Sequence, residues 1–229
     1  MSDQTESMQQ PDTPSSRIIL VLSFIAMISG FLVVLTAQLT APRIEENQRL
    51  AIERAVKKVV PGAVTHRAFM IDNGALKAPE KGSSNPVIYA GYDIHGKLLG
   101  IAARGGAQGY AGMVYLLYGY DHKCQCVRGF EVLKMAETPG LGDKIITDEN
   151  FQANFDALDA TINADGTALV NPIITVKHGS KKNDWEIDAI TGATITSKAV
   201  GKALNSSAQK LLPLVLPLIE QLNEMPNHD

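Results

Sequence analysis

From Ile18 to Leu39 the chain runs for 22 positions without a charged residue. No other feature constrains the fold as much. At ~1.5 Å per residue a helix of that length spans ~33 Å, the hydrocarbon thickness of a bilayer. Ser23, Ser29, Thr36 and Gln38 are its polar residues, too few for the polar face that a core helix of a soluble protein keeps. A cleaved signal peptide has a shorter apolar region, ~7–15 residues, ending at a small-x-small site. No good site of that kind follows here. Residues 17–42 therefore read as a single transmembrane helix, with the lipid bilayer as a partner. Residues 1–16 hold Ser, Thr, Gln, Pro and three acids with few large apolar residues, and predict a disordered tail.

Charge gives a weak vote on orientation. Arg17 precedes the apolar run, whereas Arg43, Arg49, Arg54, Lys57 and Lys58 follow it. The positive-inside rule alone places the following domain in the cytoplasm, but long domains translocate largely regardless of charge.

Residues 43–229 are long enough for a real core. They carry 20 basic and 21 acidic residues, so no basic surface for nucleic acid is expected. Ile44, Ile52, Ala55, Val56, Val59 and Val60 recur among charges as an amphipathic helix, stopped by Pro61-Gly62. Val87–Tyr92 and Leu98–Ala103 flank an Asp93–Lys97 turn and predict a hairpin. Met113–Tyr120, Phe130–Met135, Ile173–Val176 and Trp185–Ile187 read as further strands. Phe151–Leu158 reads as a short helix, and Thr196–Leu212 as a longer one. The predicted class is α+β, an antiparallel sheet with flanking helices. Leu211–Leu222 is apolar but broken by Pro213 and Pro217. It is too short for a second span and suits a packed or membrane-adjacent segment.

The stretch Asp188-Ala-Ile-Thr-Gly-Ala-Thr-Ile-Thr-Ser197 reads as a strand end, a Gly turn and a helix start. Thr194, Thr196 and Ser197 are candidate N-cap residues. A helix N-terminus offers unpaired N–H groups that suit a phosphate, and Gly192 and Ala193 permit close approach to the backbone. An ordinary capped helix has the same local pattern. Glu137-Thr-Pro-Gly-Leu-Gly-Asp-Lys-Ile145 is a Pro-Gly turn, which on its own reads as a surface loop.

Together these stretches resemble the FMN-binding domain family. They resemble in particular RnfG, the flavin-bearing component of the Rnf ion-translocating electron-transport complex, and its relative NqrC of the sodium-pumping NADH:quinone reductase. Gly109-Tyr110-Ala111-Gly112 fits as well. The resemblance implies FMN joined covalently through its phosphate to Thr194, with Asp188 recognised by a flavin transferase. It implies a flavin pocket built from Thr191, Gly192, Ala193, Ile195, Thr196, Glu137, Thr138, Gly140, Leu141, Gly142 and Lys144. It further implies an electron-relay role beside other subunits of a membrane complex, with residues 43–229 on the extracytoplasmic side of a bacterial inner membrane and the tail in the cytoplasm. That location opposes the charge vote, and the resemblance is preferred. The alternative reading is a membrane-anchored flavin-binding sensor or assembly module without redox turnover.

Cys124-Gln125-Cys126 departs from the family pattern. In a strand, side chains two residues apart sit ~6.5–7 Å apart, too far for a relaxed disulfide, so two unpaired thiols are expected. Two cysteines with only His122 nearby make no metal site, and no metal is expected. His66, His95, His178 and His228 read as surface residues, and Lys181-Lys182 as a solvated loop.

Overall fold

The computed structural model describes residues 15–80 and 82–225. The tail expected over residues 1–16 lies outside them, except that Ser15 and Ser16 open the first helix; His228 also lies outside. That helix, α1, runs unbroken over Ser15–Val59 with Pro42 inside it. The apolar run and the amphipathic stretch are thus one helix rather than two. It is long and apolar enough to cross a membrane. The large apolar side chains from Ile18 to Leu39 are exposed, as a lipid-facing helix requires. The described residues up to Arg49 form one unit, and those from Leu50 onward form a second, compact one.

Within that unit the strands are β1 (Thr65–Asp72), β2 (Ala75–Lys77), β3 (Val87–Tyr92), β4 (Leu98–Gln108), β5 (Met113–Asp121), β6 (Cys126–Lys134) and β7 (Leu158–Asp159). They form one antiparallel sheet in the order β2-β1-β3-β4-β5-β6-β7. Two short helices follow β6: α2 (Lys144–Thr147) and α3 (Glu149–Ala153). The helix expected over Phe151–Leu158 is therefore earlier and shorter. Asp148 caps α3, accepting a hydrogen bond from the Phe151 N–H, and Phe151 and Phe155 pack edge-on against Phe130. A parallel pair, β8 (Ile174–Val176) and β9 (Glu186–Asp188), stands apart from the main sheet. Then come α4 (Thr194–Val215), a 3-10 turn at Leu216–Leu218 and α5 (Ile219–Glu224).

Both faces of the sheet are covered, which explains why Met113–Tyr120 reads as a nearly continuous apolar run. Strand alternation sorts the side chains. Ile88, Tyr92, Ile101, Leu116, Tyr118 and Tyr120 join the main core with Val200, Leu204 and Leu212 of α4. Tyr89, Ala102 and Leu117 face the other way, against Ala55, Val56, Val59 and Val60. Gly91, Gly100 and Gly119 line that second face, where added side chains would strike Val60, the Tyr120 backbone and the Val59 carbonyl respectively. The end of α1 thus lies close against bare backbone, and Gly62 (φ +85°) turns the chain away. The segment after Pro213 is packed: Leu218 and Leu222 are buried, and the Tyr92 hydroxyl donates to the Leu222 carbonyl at 2.9 Å.

The cysteine expectation is corrected. Cys124 and Cys126 form a disulfide, with Cα atoms 5.2 Å apart. Cys124 and Gln125 lie in the turn and Cys126 opens β6, and Gln125 takes φ +52°, which draws its two neighbours together.

Candidate functional site

Three loops meet at one end of the sheet. The first is Gly109–Gly112, between β4 and β5, closed by a Gly109 N–H bond to the Gly112 carbonyl at 2.8 Å. The second follows β6: Leu141 and Gly142 donate to the Thr138 carbonyl at 3.2 and 3.0 Å, and Gly140 takes φ +78°. The third is the Ile190–Ala193 turn, in which Ala193 donates to the Ile190 carbonyl at 3.1 Å and Gly192 has φ +83°. Gly at the third position with positive φ is what a type II turn needs.

Glu137 ties the loops together. Its carboxylate accepts from the Thr196 hydroxyl at 2.6 Å and from the Tyr110 and Ala111 N–H groups at 3.3 and 3.2 Å. Gly142 makes the arrangement possible. A Cβ there would come within 2.6 Å of the Glu137 Cβ and 3.0 Å of the Thr196 hydroxyl.

No side chain caps α4. Ala193 is the N-cap, with no side-chain cap hydrogen bond, so the expected Thr or Ser cap is absent. The hydroxyls have other tasks. Ser197 accepts from the Ile190 N–H at 3.1 Å and donates to the Ala193 carbonyl at 2.9 Å, stapling the turn to the helix. Thr196 is committed to Glu137. The Thr194 hydroxyl lies 3.5 Å from the Ile190 carbonyl, at the limit of a hydrogen bond, on a half-buried residue. The first N–H groups of α4 have no intrahelical acceptor.

These parts enclose a cleft of about 380 Å³ lined by Tyr110, Glu137, Thr138, Leu141, Gly142, Gly192, Ala193, Thr194, Ile195 and Thr196. Nine of the residues expected from sequence thus share one cavity. Tyr110, its single aromatic, is 70% exposed and is not among those nine, although its Gly-Tyr-Ala-Gly setting is visible in the sequence. Lys144, Thr191 and Asp188 line instead a neighbouring cavity of about 470 Å³, with Asp148, Asn150 and His178. Gly140 lines neither cavity; it shapes the turn that carries Leu141. The Asp188 carboxylate accepts from the Gly179 N–H at 3.0 Å and lies 3.3 Å from His178 Nδ1. Its other oxygen is buried with no partner among the described residues. His178, expected as a plain surface residue, is exposed but bound in this way.

Residues 109–209 match the family model described as the FMN-binding domain, and residues 13–59 match the RnfG N-terminal region. The G component of the ion-translocating oxidoreductase complex of Methanosarcina acetivorans is 32% identical over 192 residues, covering 84% of this chain and 92% of that protein. The G component of the Na(+)-translocating ferredoxin:NAD(+) oxidoreductase complex of Acetobacterium woodii is also 32% identical, with 83% and 88% covered. Among solved structures, Shewanella oneidensis NqrC shares the fold at a TM-score of 0.60 and 18% identity, over 79% of this chain and all of that one. The chain belongs to the RnfG family of ion-translocating oxidoreductase subunits, with an FMN-binding domain over residues 109–209.

Proposed function

We propose that this chain is an electron-transfer subunit of a membrane-bound, ion-translocating oxidoreductase complex, and that it carries FMN as a phosphate ester on Thr194. The observation that carries this reading is the position of the Thr194 hydroxyl. Of the three hydroxyls in the first turn of α4, it alone opens into the cleft without a firm hydrogen bond. The residues present suit the group. The cleft volume falls within the ~300–1,000 Å³ usual for small-molecule sites. Tyr110, Leu141 and Ile195 offer apolar surface for a flat ring, and the uncapped N–H groups of α4 suit a phosphate.

Bound FMN supplies one- and two-electron redox chemistry, while the protein sets its position and electrostatics. Glu137 holds the three loops in register and adds a negative charge to the cleft wall. Gly142 and Gly192 keep that wall free of side chains. Asp188, which lines the neighbouring cavity beside Thr191, is the point we assign to flavin-transferase recognition. The remaining partners are the other subunits of the complex and the lipid around residues 17–42.

We place residues 43–229 outside the cytoplasm, on the cell membrane, with residues 1–16 inside. The disulfide fits this placement, because an oxidising compartment is where disulfides re-form, whereas the cytosol keeps thiols reduced. The test of attachment is co-expression with a flavin transferase followed by a denaturing gel. The wild-type and Thr194→Ser bands should fluoresce under ultraviolet light, and the Thr194→Ala band should be dark. A fluorescent Thr194→Ala band refutes the assignment.

A further inference from the structure

We propose that the Cys124–Cys126 disulfide is a second redox site of this chain, one that exchanges two electrons and two protons with a dithiol. It sits on the β5–β6 turn, at the opposite end of the sheet from the cleft. Strand β5 has nine residues, which at ~3.4 Å per residue separate the two ends by ~27 Å. The pair is therefore a site in its own right, and its standing does not depend on what occupies the cleft.

Four observations support the proposal. The bond closes a loop of two residues' separation, and the stabilisation from a cross-link grows with loop length, so this one has little to give as a staple. The turn is also closed without it. Lys123 N–H donates to the Asp121 carboxylate at 2.9 Å, Ala160 N–H to the Gln125 carbonyl at 3.0 Å, and Ile162 N–H to the Gln125 side chain at 3.1 Å. Asp121 and Cys126 are paired across the strands. The two cysteines differ in access, since Cys124 is exposed while Cys126 is 4% exposed. Finally, the reduced form has a place to settle. The Cys124 sulfur lies 3.7 Å from the Asp121 carbonyl, which accepts an S–H only after the disulfide opens.

Access fixes the order of bonds. A thiolate of the dithiol attacks the Cys124 sulfur. A new S–S bond forms there, the Cys124–Cys126 bond breaks, and Cys126 leaves as a thiolate that takes up a proton. The second thiol of the donor then attacks the mixed disulfide, releasing Cys124 as a thiol and the donor as its own disulfide. Reoxidation runs the same steps backwards with a disulfide as the oxidant.

The experiment uses the full chain in membranes with dithiothreitol and glutathione as probes. Without denaturant, dithiothreitol should open the pair, and a maleimide quench should label both cysteines together. Labelling before any reductant, or only after denaturation, overturns the proposal. With oxidised glutathione, Cys126→Ser should acquire one glutathione at least tenfold faster than Cys124→Ser; equal rates overturn the directional attack. The Cys124→Ser/Cys126→Ser double variant should melt within about 2 °C of wild type, less than ~1 kcal/mol for a protein of this size. A larger loss would make the bond a structural staple and overturn the proposal.

Discussion

Replacing Gly142 by Ala should loosen the cleft through one hydrogen bond. The new methyl would fall 2.6 Å from the Glu137 Cβ and 2.8 Å from its Oε2, so the Glu137 side chain must move. That breaks its 2.6 Å bond from Thr196. The carboxylate is half-buried and can take water instead, but Thr196 is only 2% exposed, so the cost falls on the stranded hydroxyl. A hydrogen bond to a charged group contributes ~1.5–3 kcal/mol, and overpacking adds ~1–3 kcal/mol. With partial relaxation the total is ~2–4 kcal/mol. Urea unfolding of the full chain in detergent, followed by the fluorescence of Trp185, its one tryptophan, measures it. The sharper test is a double-mutant cycle with Thr196→Val. If Gly142→Ala acts through the Thr196–Glu137 bond, its cost should shrink by ~1.5 kcal/mol or more in the Thr196→Val background. Gly140→Ala costs strain at φ +78° but meets no atom within 4 Å, and should remain additive. A Gly142–Thr196 cycle additive within ~0.5 kcal/mol would refute the reasoning.

Gly119→Ala should cost ~3 kcal/mol or more by driving a methyl into the Val59 carbonyl. Gly106→Ala, which meets the half-exposed Tyr115 ring at 3.0 Å, should cost less; equal urea midpoints would contradict the close packing of α1 on the sheet. Burial lowers the His122 pKa from 6.5, and its Nδ1 is buried without a partner among the described residues. The fold therefore favours the neutral ring. That contribution is complete above the unfolded pKa, ~6.5, and is lost as pH falls through it towards the folded value. The melting temperature of His122→Gln should fall less than that of wild type between about pH 7.5 and pH 5, and parallel curves would count against this. A reporter active only outside the cytoplasm, fused after Asp229, should work, and a cytoplasm-only reporter should be silent. The reverse pattern would vindicate the Arg and Lys count and overturn the location.

The elements legible in the sequence were those with a local signal. The uncharged run marks the apolar part of α1, and short apolar runs bounded by turn residues mark β3, β4 and β5. The β1–β2 hairpin also has a signal, Asn73-Gly74 with φ of +49° and +76°, as a tight hairpin turn prefers. The strand before it, β1, shows no clean alternation and β2 has three residues, too little to predict an element. Two site features have no local code. The φ of Gln125 decides whether Cys124 and Cys126 meet, and residue identity does not dictate it. The Glu137–Thr196 bond joins positions 59 apart, so spacing alone cannot announce it. The resemblance grouped the two loops, whereas the structure supplied the contact and separated Lys144, Thr191 and Asp188 into the neighbouring cavity.

The most direct measurement is the intact mass of the purified chain after co-expression with a flavin transferase, with the modified peptide located by fragmentation. The account predicts a gain equal to one FMN less one water, carried by Thr194 and absent from Thr194→Ala. An unmodified wild-type chain, or the same gain in Thr194→Ala, would contradict it.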